Sequence, residues 1–438
     1  MSAPSQRSLF ATVYLPAAMF GLGQGAAAPV IALTARGLGA SLGVAGLVVA
    51  LAGLGTIIGD LPAGRLVVRL GERGAILLGS AIGVVGVALC LFADTLWLLG
   101  AGVVITGLAN AVWGLARQSY LTEVIPFARR ARAMSTLAGM MRLGFFVGPF
   151  LGALAIHAMG ARGGFAVQLG AVLLAAVLMA RLPDLPGSGP ASRSAAAGSS
   201  RRVTLGDVIV THRRLLATLG VGVLLMGLAR ASRMAVLPLW ADHLGVDPVT
   251  ISLIFGVSAA VDVAVSYPAG LLMDRLGRRA IAVPSLLILA AGYLLLTLAT
   301  STPTLGVVAL ILGVGNGLSN GVIMTLGADV APAATRAAFF SAWRLMHDGG
   351  MFVGPLTVAG IAVLAPLSVA AVTVGAATVL GAAVMWRYIP VYVAWPLLAA
   401  PATSAPPAPP APPAPVEALS KSRTDTAVEV SVTTAAIR

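Results

Sequence analysis

Long stretches without a charged residue recur throughout this chain, among them Ser8 to Ala35, Ala75 to Ala93, Thr95 to Ala116 and Ala280 to Ala328. About 20 mostly apolar residues carry a helix across the hydrocarbon of a bilayer. The run from Ala280 to Ala328 is too long for one crossing, and the turn signal Ser301-Thr302-Pro303-Thr304 divides it; Gly349 to Trp386 divides likewise near Pro366. Twelve spans result, at about 10–35, 42–66, 75–94, 95–121, 131–156, 162–182, 214–238, 248–271, 280–300, 303–330, 337–364 and 367–388. Only 10% of residues are charged and 58% are hydrophobic, with mean hydropathy +0.96, whereas a soluble chain carries about 25% charged residues. The fold class is an all-α membrane protein.

The 28 Lys+Arg against 15 Asp+Glu give a formal charge of +13. Nucleic acid is excluded as the partner, because aromatics are only 5% and the basic residues sit in short loops between apolar runs. With the N-terminus inside, 21 of the 28 basic residues fall in, or within two residues of, the even-numbered loops and the two termini, and only Arg36 and Arg162 fall at the outside loops. The positive-inside rule then places both termini in the cytoplasm of a cell-membrane protein. Cys90, the single cysteine, lies in an apolar run, so neither a disulfide framework nor a Cys-ligated metal site is expected within the chain.

Arg7 and the small residues Ala26 to Ala28 imitate a signal peptide, but the apolar stretch between them is too long and has a counterpart in the second half. Residues 1–9 form a cytoplasmic N-terminus, 10–182 a six-helix bundle, 183–213 a cytoplasmic linker rich in Ser, Arg, Gly and Pro, and 214–390 a second six-helix bundle. From 391 to 438 the chain reads as a disordered cytoplasmic tail with an Ala/Pro repeat of polyproline II type from Pro401 to Pro415.

A shift of 206 residues aligns the two halves without a gap from about Leu38 to Pro355. PAGRLVVRLGER from Pro62 matches PAGLLMDRLGRR from Pro268 at eight of twelve positions, and the same shift pairs Asn110 with Asn316, Glu123 with Asp329, and Gly148-Pro149 with Gly354-Pro355. An offset of six spans keeps the membrane orientation, so the halves are parallel repeats about an axis along the membrane normal.

The loop after the second span, with Gly64, Arg69, Gly71 and Arg73, and its repeat Gly270, Asp274, Arg275, Gly277, Arg278, Arg279 resemble motif A of the major facilitator superfamily, Gly-x3-Asp-Arg-x-Gly-x-Arg-Arg. The second copy keeps every position but the last arginine, where Ala280 stands, while the first has Val68 at the acid position. On the fifth span, Gly144, Gly148, Pro149 and Gly152 look like the antiporter motif of proton-coupled drug exporters, with Ser135 and Ala153 replacing two of its glycines. Read without the family, these glycines let helix backbones approach closely, and Pro149 removes a donor. The resemblance implies twelve helices in two pseudo-symmetric six-helix bundles and a central cavity lined by the first, fourth, seventh and tenth helices. It would place Gln24, Asn110, Arg230, Arg233 and Asn316 in that cavity, and it implies a monomer. A drug-exporter arginine expected four residues before Gly107 is Val103 here.

Ionisable residues inside spans are functional candidates by default. Asp60, Asp262 and Asp348 stand against Arg117, Arg142, Arg230, Arg233 and Arg344. Asp262 and Asp348 are the proton-carrier candidates. Asp60, four residues before Gly64, is expected to supply the acid that Val68 does not, or else to be solvated at the membrane edge. Arg230 and Arg233 share a helix face and could hold one carboxylate or phosphate, or could pair with Asp262. Asp348 has Arg344 one turn away and His347 beside it, while its repeat partner is Arg142, which suggests an interdomain Arg142–Asp348 pair. Asp274 reads as a latch that pairs in one conformation only.

His157, His212 and His243 lack metal-ligand spacing, and neither a Walker-type phosphate loop nor a Ser/His/Asp constellation is present, so no cofactor and no enzymatic activity are expected. The energy source is then a gradient. The expectation is a secondary transporter moving a small-molecule substrate by alternating access, exporting an amphipathic compound in exchange for protons. The surplus of intramembrane arginine favours neutral or anionic substrates. Rival readings are an organic-anion or metabolite transporter, and a non-transporting receptor or scaffold on the same fold.

Overall fold

The computed structural model describes residues 10–125, 127–180, 205–332 and 335–393. Among the described residues the chain is helical throughout. A π-helical turn Phe10–Tyr14 leads into α1 (Leu15–Gly37). The helix Leu42–Leu91 breaks only at Gly71 (φ 73°), which separates α2 (42–70) from α3 (72–91). Then come α4 (Leu96–Val124), α5 (Phe127–Met159) and α6 (Gly163–Ala180). After a short linker helix, Leu205–Thr211, the second half comprises α7 (Val221–His243), α8 (Pro248–Leu276), α9 (Arg278–Leu296), α10 in two pieces (Thr302–Ser319 and Val322–Val330), α11 (Arg336–Leu364) and α12 (Leu367–Tyr392). Eleven segments are long and apolar enough to cross a membrane, and one of them, Ala133–Ala180, contains both α5 and α6. The twelve expected spans are therefore present.

The repeat governs the local stops and starts. Gly39 and Gly245, and Gly71 and Gly277, are related by the 206-residue shift, and all four have positive φ, which side chains disfavour. Ser41 caps α2 and its equivalent Asp247 caps α8, each accepting a backbone N–H from three residues on. Within each half, glycines draw the first and fifth helices together. A methyl group at Gly144 or Gly148 would collide with the Ala18 or Leu22 carbonyl, and Gly350 and Gly354 stand in the same relation to Leu224 and Leu228. The glycines that resemble an antiporter motif thus form a packing seam found in both halves.

Three expectations need correction. The tenth span, read as one helix over 303–330, is interrupted at Asn320-Gly321, where Gly321 has φ 85°; this Asn-Gly pair is a turn signal set inside an apolar run. The twelfth helix continues to Tyr392, past the expected tail boundary. Inside the linker, Leu205–Thr211 is helical and the His212 ring meets Phe339 of α11 edge-on at 5.5 Å. The N-terminal segment 1–9, most of the linker and the Pro/Ala tail lie outside the described residues.

One end of the bundle carries the turns after α2 and α8, the ends of α4 and α10 and the described ends at Phe10 and Val393, and is called the termini face; the other carries the turns at 37–42, 92–96, 160–163, 244–248, 297–302 and 365–367. Close approaches of α2 to α11 (Gly43 to Val363, Gly46 to Ala359, Gly53 to Phe352) and of α8 to α5 (Gly256 to Phe150) bring the halves together. All four lie towards the face opposite the termini.

Candidate functional site

The break in α10 assembles a buried polar network inside the second half. Asp262, midway along α8, accepts hydrogen bonds from the Asn316 amide and from Asn320 Nδ2 (2.6 Å), and lies 3.7 Å from Arg233 Nη2. Arg233 is 1% exposed, donates to Ser258 Oγ (3.1 Å) and stacks under Phe255 at 5.6 Å. Arg230 donates to Asn320 Oδ1 (2.7 Å) and Ser319 Oγ (3.2 Å), and Asn320 Nδ2 also reaches Ser266 Oγ (2.7 Å). Asn320 serves Arg230 with its oxygen and Asp262 with its nitrogen because it stands where the helix is unwound. Sequence reasoning missed Asn320, Ser319, Ser258 and Ser266, although the Asn-Gly turn signal marks the first.

Of the two openings for Arg230 and Arg233, protein partners win over a free anion clamp. Arg142, on α5 of the other half, feels the Asp262 charge and that of Arg230, and no Arg142–Asp348 ion pair forms among the described residues. The expected Arg142–Asp348 pair is thus not seen among the described residues: Arg142 lies within electrostatic reach of Asp262, and Asp348 is paired with Arg344 and His347.

A cavity of about 300 Å³ lies between the halves. Gln24 and Asn110 line it as expected, joined by a hydrogen bond from Gln24 Nε2 to Asn110 Oδ1 (2.9 Å), and Thr56, Thr106 and Gln168 add neutral polar groups. From the second half come His347 and Asp348, with Met234 and Met351. Arg142, Arg230, Arg233 and Asn316 are not in its lining, because the latter three are folded into or beside the Asp262 network. The wall is apolar apart from these few groups, as small-molecule sites usually are.

Asp348 sits at the edge of a charge cluster that crosses between the halves. Its Oδ1 meets His347 Nδ1 (3.0 Å) and its Oδ2 accepts from Arg344 Nε (3.1 Å), while Arg344 Nη2 lies 3.8 Å from Asp60 on α2. Asp60, expected to complete the first motif A, pairs instead across the halves. At the opposite face a second interdomain ion pair, Arg36 with Asp242 (2.7 Å), joins two positions one repeat shift apart. Two equivalent positions can touch only close to the pseudo-twofold axis, so this pair marks that axis.

The second copy of motif A, which keeps the acid, ties helices within its own half. Arg278 bridges Asp274 (3.3 Å) and Asp329 (2.9 Å), and the Arg279 guanidinium stacks on Trp386 at 3.3 Å. Arg275 is exposed and Gly270 has open space around it. In the first copy Arg73 donates to the Ala180 carbonyl (2.8 Å), and Gly64 and Arg69 are exposed. Arg117 is buried against Trp113 and Phe20, at 5.0 and 5.9 Å.

Residues 13–221 and 219–435 each match the Major Facilitator Superfamily. The chain belongs to that superfamily, and it is a multi-pass membrane transporter rather than an enzyme. It is 29% identical over 349 residues to the uncharacterized MFS-type transporter YdeG of Bacillus subtilis (strain 168), covering 76% of this chain and 80% of that one. Among solved structures it resembles the nucleoside transporter NupG (TM-score 0.69, 14% identity, 88% of this chain and 100% of that one). It likewise resembles a POT family transporter in complex with a thioalcohol-conjugated peptide (0.68, 13%, 88% and 96%) and a D-xylose-proton symporter (0.65, 16%, 87% and 97%). At these identities the likeness shows the fold alone.

Proposed function

We propose that this chain is a proton-coupled exporter of small amphipathic organic molecules, neutral or singly cationic, working by alternating access with both termini in the cytoplasm. The observation that carries the reading is the cavity. One carboxylate, Asp348, with His347 beside it, faces neutral amides and an apolar wall across a space of about 300 Å³. The arginines that seemed to favour an anion are engaged elsewhere, Arg233 and Arg230 with Asp262, Asn320 and the serines. Asp262 has donors on both oxygens and lies outside the cavity lining, so Asp348 is the acid that substrate and proton share. The positive-inside bias of the loops supports the orientation.

The test uses purified protein in liposomes with a trapped pH dye and an imposed proton gradient. Proton flux driven by cationic or neutral amphiphiles, lost in Asp348→Asn and kept at least in part in Arg230→Gln, is the expected result. Flux confined to anions and lost in Arg142→Gln would establish the second reading, an organic-anion carrier, which rests on three guanidiniums, Arg142, Arg230 and Arg233, around the single carboxylate of Asp262. Binding without flux would sink both.

A further inference from the structure

Arg344 is the one described cation shared by carboxylates of both halves: Asp348 of its own helix at 3.1 Å and Asp60 of α2 at 3.8 Å. One guanidinium cannot serve both acids equally well, because bidentate geometry aimed at one carboxylate turns the fork away from the other. The geometry points to Arg344 as the positioning residue that enforces exchange: whatever neutralises Asp348, a proton or a cationic substrate, releases Arg344 to Asp60 and draws the termini face shut. This deepens the proposed function and rests on its assignment of Asp348 as the loading site.

The consequence is a coupling rule. With Asp348 empty and ionised, Arg344 is held mainly on its own helix and its contact with Asp60 stays at the long 3.8 Å. With Asp348 loaded by either ligand, the Arg344–Asp60 pair forms fully, so a loaded carrier closes and an empty one does not. Proton uptake involves only the Asp348 carboxylate, which takes a proton from water and gives up its ion pair with Arg344. Differential stabilisation of the two conformations, not tight binding, is what such coupling needs. Closing the termini face is opposed at the other face by the Arg36–Asp242 pair, which the same motion must break.

The surroundings leave Arg344 free to make this choice. Around Asp348 stand Arg344 and His347 of α11 and Asp60 of α2. On α7, Arg230 and Arg233 are turned to Asn320 and Asp262; on α10, Asp329 is turned to Arg278; on α12, Arg387 lies over Tyr388; and the linker's His212 meets Phe339 below this level. The facing groups of α1 and α4, Gln24 and Asn110, are neutral.

The test measures the distance between spin labels on Val68→Cys and Leu276→Cys, at exposed positions near the termini face of each half, in full-length protein with Cys90→Ser and with the proton as the only ligand. Acidification from about pH 7 to 3.5, past the ordinary aspartate value of about 3.9 and in a His347→Gln background that removes the neighbouring imidazole, is expected to move the parent population towards the shorter distance by about three- to tenfold, the scale a partly exposed ion pair can supply. Asp60→Asn and Arg344→Gln are expected to abolish that response, and Asp60→Glu and Arg344→Lys to retain it in part, which separates bridging from a folding defect. Asp348→Asn is expected to rest at the shorter distance at both pH values. If Asp60→Asn responds like the parent while Asp348→Asn does not respond, this inference falls and the loading site stands. If Asp348→Asn responds like the parent, the loading site falls and takes the inference with it.

Discussion

The two halves place the same backbone around different chemistry. At positions related by the repeat, the first half has Gln24, Ala27, Thr56 and Asn110 where the second has Arg230, Arg233, Asp262 and Asn316. Gln24 and Asn110 simply bond each other, and Thr56 returns its hydroxyl to the Ala52 carbonyl of its own helix (3.0 Å), so these side chains line a cavity without demanding partners. Their charged counterparts are consumed by one another, and α10 is unwound to complete them, whereas its equivalent α4 runs unbroken from Leu96 to Val124. The comparison teaches that a repeated scaffold can specialise its halves by changing a few side chains at one level of the membrane. Adaptable neutral groups are kept for a ligand, and charges are locked where they fix a helix break.

The largest effect should come from unlocking the charged side. Asp262→Ala leaves Arg233 buried without its carboxylate, and removing one partner of a buried ion pair costs about 3 to 5 kcal/mol. Thr56→Ala at the equivalent position loses a hydrogen bond within its own helix and one to Gly107, and should cost about 1 kcal/mol. Thermal unfolding of the two variants in the same detergent checks the difference; equal losses would mean that the halves are not specialised as described.

Next in size is the break itself. Gly321→Ala puts a Cβ on a residue at φ 85°, which costs about 1 to 2 kcal/mol and works against the geometry by which Asn320 reaches both Arg230 and Asp262. Its equivalent, Leu115, lies in a continuous helix, and Leu115→Ala should leave transport in place. Transport assays on both variants sharpen the contrast: an active, stable Gly321→Ala would show that the break is incidental to function.

A smaller effect is expected where the halves touch on their common axis. Arg36 and Asp242 are each about a third exposed, so their pair is worth no more than about 1 kcal/mol and shifts the conformational balance by up to about fivefold. Arg36→Gln should raise thiol labelling of an Ile31→Cys probe in the cavity from the opposite face, and Asp242→Asn should do the same. Unchanged labelling in both would mean that the pair does not gate that face.

How much of this could be read beforehand depends on whether a residue acts locally or through the fold. Span positions, the repeat and the turn glycines were legible because hydrophobic run length and backbone sterics act within a few residues of sequence. The identity of the intramembrane charges was legible too, since Asp60, Asp262, Asp348, Arg142, Arg230, Arg233 and Arg344 all enter the two charged clusters. Their pairing was not. Choosing among Asp262, Asp348 and Asp60 as partners requires the rotation of each helix, and no property of a single span sets that rotation. The break at Asn320 was the nearest miss, because its turn signal was outweighed by the apolar run around it.

The smallest effect isolates a difference that the halves carry at their edges. Asp247 and Ser41 cap equivalent helices, but only Asp247 titrates, and hydrogen bonds from the Thr250 hydroxyl and backbone N–H hold its carboxyl below the usual carboxylate range. A depressed folded-state value means that the contribution is fully present above the ordinary aspartate range, about pH 4, and is lost as the pH falls through the folded value. At neutral pH, Asp247→Ala and Ser41→Ala should each cost about 1 kcal/mol, the usual worth of an N-cap. At about pH 3, below that ordinary range, the cost of Asp247→Ala should shrink while that of Ser41→Ala stays the same, because a hydroxyl keeps its acceptor at any pH. Unfolding curves at the two pH values decide it. An Asp247→Ala penalty independent of pH would assign the cap's value to chain geometry, and the charge difference between the halves at this edge would then carry no energetic weight.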